Sequence, residues 1–564
     1  MTLTRRTLLR VSAAGLVGGL LPRPALASGT TAFADSYRTN LIANQTAETN
    51  AAVRILSGMG ELWQNGVVLA PELLRANVRF CERRTARRTD DQAARAFIVD
   101  RQHQSYSILA GLGPLAPRYK AGALAVTSIT EAPAGTPPTT ISDAVPADAP
   151  PGSAIGAGST TSALGLVATL VNTVRGDYSS GNPSKYAYQY PRPWRMTEDS
   201  EVVDTGAVDE FGYPVYDSRV IVAPQLLRQR STSPFDDGGF PSGHTNALHL
   251  AALAYAYAFP ERFQELVTCA FDLSDTRITA GMHSPVDVVG GRILATALAA
   301  AILSDPANAE LKAAARAQAA AYFAGFDGDG DDAYADRAAN RDLVRPKLTY
   351  VLPREGPDRP LTVPKGAEVL LETRQPYLTA AQRRAVLRST ALPAGYPLID
   401  GPEEWGRLDL FRAADGYGAF ETDVDVTLDK PAADSWRNDI TGPGGLTLRG
   451  TGQLTLTGHN RFRGALRVLG GTLRLTGTTA PGRYQQVSAT LATTVRAGLR
   501  VAGTAEIGPG STLELTTDGR CGLFEVLTAG RVTGRFATIT VLDPGLRADP
   551  VYTRTAVLVR IVRG

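Results

Sequence analysis

A chain of 564 residues with 58 basic and 55 acidic side chains is long enough for about three to five domains of roughly 100 to 200 residues each. Its near-neutral balance shows no broad electrostatic footprint for nucleic acid or an anionic membrane, so local charge matters more than net charge. Cys81, Cys269 and Cys521 are odd in number and far apart, which allows at most one disulfide and lacks metal-ligand spacing.

The first segment reads Thr4-Arg5-Arg6-Thr7-Leu8-Leu9-Arg10, then an apolar run from Val11 to Leu21, then Pro24-Ala25-Leu26-Ala27. Paired arginines, a glycine-interrupted apolar run and a small-residue cleavage pattern make residues 1–27 resemble a twin-arginine signal peptide. The run falls well short of the ~20 residues of a spanning helix. The resemblance implies a bacterial protein exported to the periplasm or secreted.

From Ala32 to Val174 apolar residues recur at helical spacing, most clearly in Ala51 to Leu69 and Ala94 to Leu112. Pro, Thr, Ala and Gly interrupt the pattern from Ala132 to Gly158, which predicts a long loop. Helices are predicted again over Thr160 to Val174, Ala247 to Phe259, Pro260 to Leu273 and Pro285 to Leu303. The last is apolar but carries Asp287 and Arg292, so it reads as a buried helix, and no integral membrane segment is expected beyond the signal.

Three short segments between these helices carry the chemistry. Lys185 to Pro193 holds Lys185 and Arg192, Pro241 to His244 reads Pro-Ser-Gly-His, and Arg277 to Asp287 holds Arg277, His283 and Asp287. Guanidinium and ammonium groups give charge-assisted hydrogen bonds to phosphate oxygens, while two imidazoles supply a nucleophile and an acid. Ser284-Pro285 looks like an N-cap followed by an N1 proline, with Asp287 in the first turn, free to cap Ser284 and to orient His283. Gly281 gives the preceding turn its freedom.

In order and internal spacing these segments resemble the type 2 phosphatidic acid phosphatase superfamily, which includes class A bacterial acid phosphatases and vanadium haloperoxidases. The resemblance implies an all-α helical bundle over residues 28–345. It implies His283 as the nucleophile that forms a phosphohistidine, Asp287 as its orienting carboxylate and His244 as general acid. Lys185, Arg192, Ser242, Gly243 and Arg277 would bind phosphate, the serine and glycine from a helix N-terminus. No metal or other cofactor is implied for a phosphatase, and the substrate would be a phosphomonoester. Thr276 stands where the family usually has serine, which keeps a hydroxyl.

Two other readings share these residues. A vanadium haloperoxidase would hold vanadate in the same pocket, where a phosphatase would bind it as an inhibitor. A surface-binding protein would use its C-terminal region on a non-catalytic phosphatase scaffold. Outside the signature, His249 and His103 read as structural, Tyr186, Tyr188, Tyr190 and Trp194 as packing, and Asp236-Asp237-Gly238-Gly239 as a mobile turn near the mouth. Asp327 to Asp332 superficially resembles a calcium loop but lacks the glycine and the glutamate that such a loop needs, so a solvated acidic turn is expected.

Residues 346–439 read as a mixed connecting region with one helix at Thr379 to Ser389. From 440 to 564 the grammar changes to Gly452-Gln453-Leu454-Thr455-Leu456-Thr457-Gly458-His459-Asn460 and Gly470-Gly471-Thr472-Leu473-Arg474-Leu475. Strict alternation between glycine turns predicts a β-solenoid. This unit resembles the autotransporter-associated β-strand repeat, and weaker strands through Val501 to Leu515 and Thr538 to Ile561 read as further coils or a cap. No long run of alternating strands for a membrane barrel follows, so the resemblance is not expected to make this an autotransporter, and a structural or surface-contact module is expected.

Overall fold

The computed structural model describes residues 31–564, so the signal reading at residues 1–27 lies outside the described residues. Helices make up most of the first part of the chain, but Ala51 to Leu69, expected to be helical, is a short helix at Ala51–Ile55, a 3-10 turn at Ser57–Glu61 and an antiparallel hairpin of Trp63–Gln64 with Val67–Val68. Those that matter for the site are α1 (Pro71–Ala86), α2 (Asp90–Arg101), α3 (Gly165–Val174), α4 (Asn182–Tyr188), α5 (Gly243–Ala258), α6 (Phe263–Thr279) and α7 (Pro285–Ser304). Helix α5 packs against both α6 and α7, and these three form the centre of the domain.

Helix α7 alone among the described helices is long and apolar enough to cross a membrane, yet it is wholly buried within the protein. It is apolar all round because neighbours surround it on every side. A Cβ on Gly291 would stand 2.6 Å from the Ser242 carbonyl oxygen, so this glycine lets α7 approach the start of α5 closely. The approach brings the His283 and His244 segments together. Within α7, Arg292 Nη2 donates to the carbonyls of Leu348 and Gly406, each at 3.1 Å.

The connecting region packs onto the helical domain through Leu371, Trp405 and Phe411, all buried. Its predicted helix is present at Ala380–Thr390, capped by Thr379. Of the acidic turn, Asp327, Asp329 and Asp331 are exposed as expected, whereas Asp332 pairs with Arg262 at 2.8 Å. His103 also has partners: its Nδ1 accepts the Ser105 N–H and its ring lies against Arg175. All three cysteines are unpaired, with Cys81 and Cys269 buried.

The β-solenoid begins earlier than the boundary at residue 440. Strand β1 (Val424–Leu428) already pairs in parallel with β3 (Leu446–Gly450), and β2 (Ala433–Trp436) with β4 (Gln453–Leu456). This first coil has Asp, Lys and Pro in place of the Gly-Leu-Thr grammar, but Val424, Val426 and Leu428 turn inward as a strand requires. Further coils follow in β5 (Ala465–Val468), β6 (Thr472–Leu475), β7 (Arg483–Gln486), β8 (Thr490–Thr494), β9 (Leu499–Ile507), β10 (Thr512–Thr516), β11 (Gly522–Gly534) and β12 (Thr538–Val541). Odd strands through β11 form one parallel sheet and even strands the other, about five turns in all. An antiparallel hairpin, β13 (Leu546–Tyr552) and β14 (Ala556–Arg563), continues the odd sheet beyond β11 as a cap.

Register stacks like on like: Leu454, Leu473, Leu491 and Leu513 lie opposite one another on successive even strands and are buried. Asn460, fully buried, accepts the Ile440 N–H and donates to Thr479 Oγ1, which explains the asparagine of the repeat. Trp436 in the first coil is fully buried and donates to Tyr377 Oη at 2.8 Å, fastening the solenoid to the connecting region.

Candidate active site

Each candidate residue stands at a helix end, where the chain can change direction and backbone N–H or C=O groups are free. Helix α4 carries Lys185 and ends at Gln189 in the left-handed region, which turns the chain into Pro191-Arg192-Pro193. Ser242 caps α5 by accepting the Thr245 N–H at 3.3 Å, so Gly243 and His244 open the helix with N–H groups unpaired within it. A Cβ on Gly243 would meet nothing within 4 Å, leaving room for an anion over this N-terminus. Arg277 lies in the last turn of α6, and Gly281, at φ +76°, turns the chain toward His283.

At α7 both sequence readings of Asp287 hold together. Ser284 and Asp287 form a capping box: the Ser284 N–H donates to Asp287 Oδ2 at 2.7 Å, and the Asp287 N–H donates to Ser284 Oγ at 3.4 Å. The same Oδ2 lies 3.4 Å from His283 Nδ1. On the other side of the ring, Arg192 Nη1 donates to His283 Nε2 at 3.1 Å and to the Met282 carbonyl at 2.9 Å. A guanidinium can only donate, so Nε2 is an unprotonated acceptor and Nδ1 carries the hydrogen toward Asp287. The Ser242 N–H donates to the Asp287 carbonyl at 2.9 Å, tying the two histidine segments backbone to backbone.

Two residues outside the signature hold it in place. Asp237 accepts from Arg192 Nε at 2.6 Å and pairs with Arg195 at 3.2 Å, so this turn is clamped rather than mobile. Asp100, at the end of α2, forms a buried ion pair with Arg277 and accepts from Arg101 Nε at 2.7 Å. Its backbone carbonyl accepts the Nε2–H of His244 at 3.0 Å, which leaves Nδ1 as the ring atom available for proton transfer. Nothing in the spacing near Asp100 marks it. The only sequence signal for Asp237 was its nearness to the Pro-Ser-Gly-His segment.

Charge and burial set the protonation states. Burial, reinforced by Arg192 and Lys185, pushes the His283 imidazole well below its ordinary value, so the ring is neutral. His244 is lowered to about 3, by burial first and Arg277 second. Burial lifts Asp287 to about 7, against the pull of the Ser284 N–H and Arg192. Lys185, which makes no ion pair among the described residues, is lowered to about 7 by burial and by Arg192. Burial would raise the Asp100 carboxyl, yet Arg277, His244 and Arg101 together hold it below the usual carboxylate range.

Of the aromatic residues around the first segment, Tyr188, Tyr190 and Trp194 pack as expected. Tyr188 Oη donates to the Val53 carbonyl, Tyr190 is buried edge-on to Trp63, and Trp194 lies under the Arg195 guanidinium. His249 is buried edge-on to Phe271, away from the site. No group of three or more His, Cys, Asp or Glu side chains gathers as a metal site among the described residues.

A helical domain that converges three cations, two imidazoles and a carboxylate in this order is a domain of the PAP2 superfamily, which matches residues 161–310. The chain is 38% identical to a non-specific acid phosphatase of Salmonella typhi over 71 residues, 13% of this chain and 28% of that protein. It is 30% identical over 233 residues to an extracellular serine protease of Serratia marcescens, covering 34% of this chain and 21% of the protease. It is also 37% identical over 117 residues to the autotransporter lipoprotein NalP of Neisseria meningitidis serogroup B, 20% of this chain and 11% of that protein. Each match thus spans less than a third of the relative's own length. The C-terminal solenoid fits the autotransporter-type repeat.

Proposed function

We propose that this chain is an exported, metal-independent phosphatase that hydrolyses phosphomonoesters through a phosphohistidine on His283. The observation that carries this reading is the fixed tautomer of His283: Nδ1–H faces Asp287 and the Nε2 lone pair faces Arg192, a phosphate-binding residue of the family signature. Nε2 attacks phosphorus, the ester P–O bond breaks in line, and His244 passes a proton from Nδ1 to the departing oxygen. Water then gives a proton back to His244 and attacks phosphorus, releasing phosphate and free His283. Lys185, Arg192, Arg277 and the N–H groups of Gly243 and His244 carry the charge of the equatorial oxygens. The imidazolium formed during the reaction is held by Asp287.

A general acid must start protonated, and His244 is pushed down by burial. The negative charge of bound phosphate raises it again, so activity is favoured on the acidic side of neutrality. The resemblance to an acid phosphatase supports the reaction class, and the extracellular and autotransporter relatives support a periplasmic or secreted location. Phosphate release from a chromogenic monoester by the purified protein, with His283→Ala as control, tests the reading. Undiminished release by His283→Ala overturns it, as does halide oxidation with vanadate and peroxide in a protein that releases no phosphate. A panel running from small monoesters to phosphatidic acid then assigns the substrate.

A further inference from the structure

The near-neutral total of the chain conceals a charge asymmetry. From residue 440 onward there are 15 arginines, no lysine and six carboxylates, a net charge of +9 in a chain whose total is +3. The parallel register sorts these arginines onto one face. On the odd-numbered sheet Leu466, Val468, Tyr484, Gln486, Leu499 and Val501 are buried between the two sheets. Alternation therefore places Arg467, Arg483 and Arg500 on the outer side. Arg461 and Arg463 flank buried Phe462 just ahead of β5, and Arg531 lies opposite Thr504, beside inward Ala505.

Five of these six arginines are exposed and Arg467 is half-buried. None of the six makes an ion pair among the described residues, whereas Arg449 is neutralised by Asp425 and Arg496 by Asp518 elsewhere on the solenoid. Strands β5, β7, β9 and β11 carry only two carboxylates, Glu506 and Glu525. With strands about 4.8 Å apart and residues about 3.3 Å apart, the guanidinium-bearing positions spread over about 14 Å along the solenoid and about 20 Å across it.

We propose that this face docks the protein onto a membrane leaflet of anionic, phosphate-bearing headgroups. The positions form a two-dimensional field, which matches a charged surface better than a polymer lying in a single row. Arginine alone supplies the charge, and its fork pairs with phosphate oxygens in two parallel bonds. Phe462 and Tyr484 are buried and Phe524 of β11 is half-buried, so the arginines are not interleaved with exposed aromatic rings for stacking single-stranded bases. Strands β5, β7 and β9 expose no large apolar side chain, and on β11 only Leu523 does, at the opposite end of the strand from Arg531, so attachment is electrostatic and salt releases it. The docking face and the catalytic pocket occupy different domains, and docking holds whichever reaction the pocket performs.

The test is co-sedimentation of the full chain with vesicles of phosphatidylcholine containing phosphatidylglycerol, against vesicles of phosphatidylcholine alone, at low and high salt. Binding is expected only to the anionic vesicles and only at low salt. The variant Arg463→Gln/Arg483→Gln/Arg500→Gln is expected to partition on the order of a hundredfold more weakly. Its turnover of a soluble monoester and its thermal unfolding should match the parent, which separates loss of docking from loss of fold. No binding to anionic vesicles at low salt overturns the proposal, and so does undiminished binding by the triple variant. Retention on heparin without vesicle binding would replace the membrane by a linear polyanion.

Discussion

Arg192 donates an Nη1 hydrogen to Nε2 of His283 at 3.1 Å, so the guanidinium occupies the lone pair that has to attack phosphorus. Attack requires that hydrogen to turn from the imidazole to a phosphate oxygen. The pose of Arg192 therefore governs both binding and nucleophilicity, and Asp237 sets that pose through Nε and Nη2, each at 2.6 Å. Asp237→Asn is expected to lower kcat/KM by roughly 10- to 100-fold, since a small misplacement near the reacting atoms costs that much. Asp237→Glu should recover part of the loss. Steady-state kinetics beside a melting curve check this; unchanged kcat/KM in a folded Asp237→Asn protein would show that Arg192 finds its place unaided.

Asp100 separates two functions on one residue. Its carboxylate holds Arg277 while its backbone carbonyl holds His244, and only the first is touched by substitution. Asp100→Ala leaves a buried guanidinium without its partner, at a cost of about 3 to 5 kcal/mol in stability. Urea unfolding should report that loss, and affinity for phosphate should fall as Arg277 wanders. The His244 tautomer should survive, visible as an unchanged pattern of its ring-nitrogen shifts by NMR.

How much of this was legible in the sequence follows from where the information lies. Lys185, Arg192, His244, Arg277, His283 and Asp287 sit within three short segments, and the Ser284-Pro285 cap announces the helix that carries Asp287. Asp100 acts across 177 residues from Arg277, and no local spacing encodes such a pair. The first solenoid coil was missed because Asp429, Lys430 and Pro431 replace its glycine turn, although Val424, Val426 and Leu428 alternate correctly. The basic face was hidden because a whole-chain sum cancels +9 in one region against acidic residues elsewhere. Only the register shows that those arginines share a side.

Asp287 illustrates stability given up for chemistry. Its ordinary value of 3.8 is raised by burial to about 7 in the folded chain. A raised carboxyl contributes stability that is complete below its unfolded value and is lost as pH rises through its folded one. Wild-type stability from this group therefore declines between about pH 4 and pH 7. Asp287→Asn should flatten that decline and unfold at a higher temperature near neutrality. The same change should lower kcat by roughly 10³-fold or more, because the orienting partner of the imidazole is lost. Melting temperatures of both proteins across this pH range, with turnover at one pH, decide it; a variant less stable at pH 7 with normal turnover would contradict both halves.

Anion binding should take up protons. Lys185 is lowered to about 7 and His244 to about 3 by burial and neighbouring arginines, and a tetrahedral dianion placed among them raises both. By linkage, affinity must then increase as pH falls, by up to about tenfold per pH unit for each proton taken up. Sulfate is the probe of choice because it does not itself titrate in this range, whereas phosphate does. Calorimetry in buffers of different ionisation enthalpy should show net proton uptake at pH 7.5, with the dissociation constant tightening toward pH 6. Lys185→Met should reduce the component centred near pH 7 to the share of Asp287, which also titrates near 7, and leave the His244 component, which extends to lower pH. A dissociation constant independent of pH, or proton release on binding, would mean that both groups keep their charge without the anion, and the acidic optimum would lose its basis.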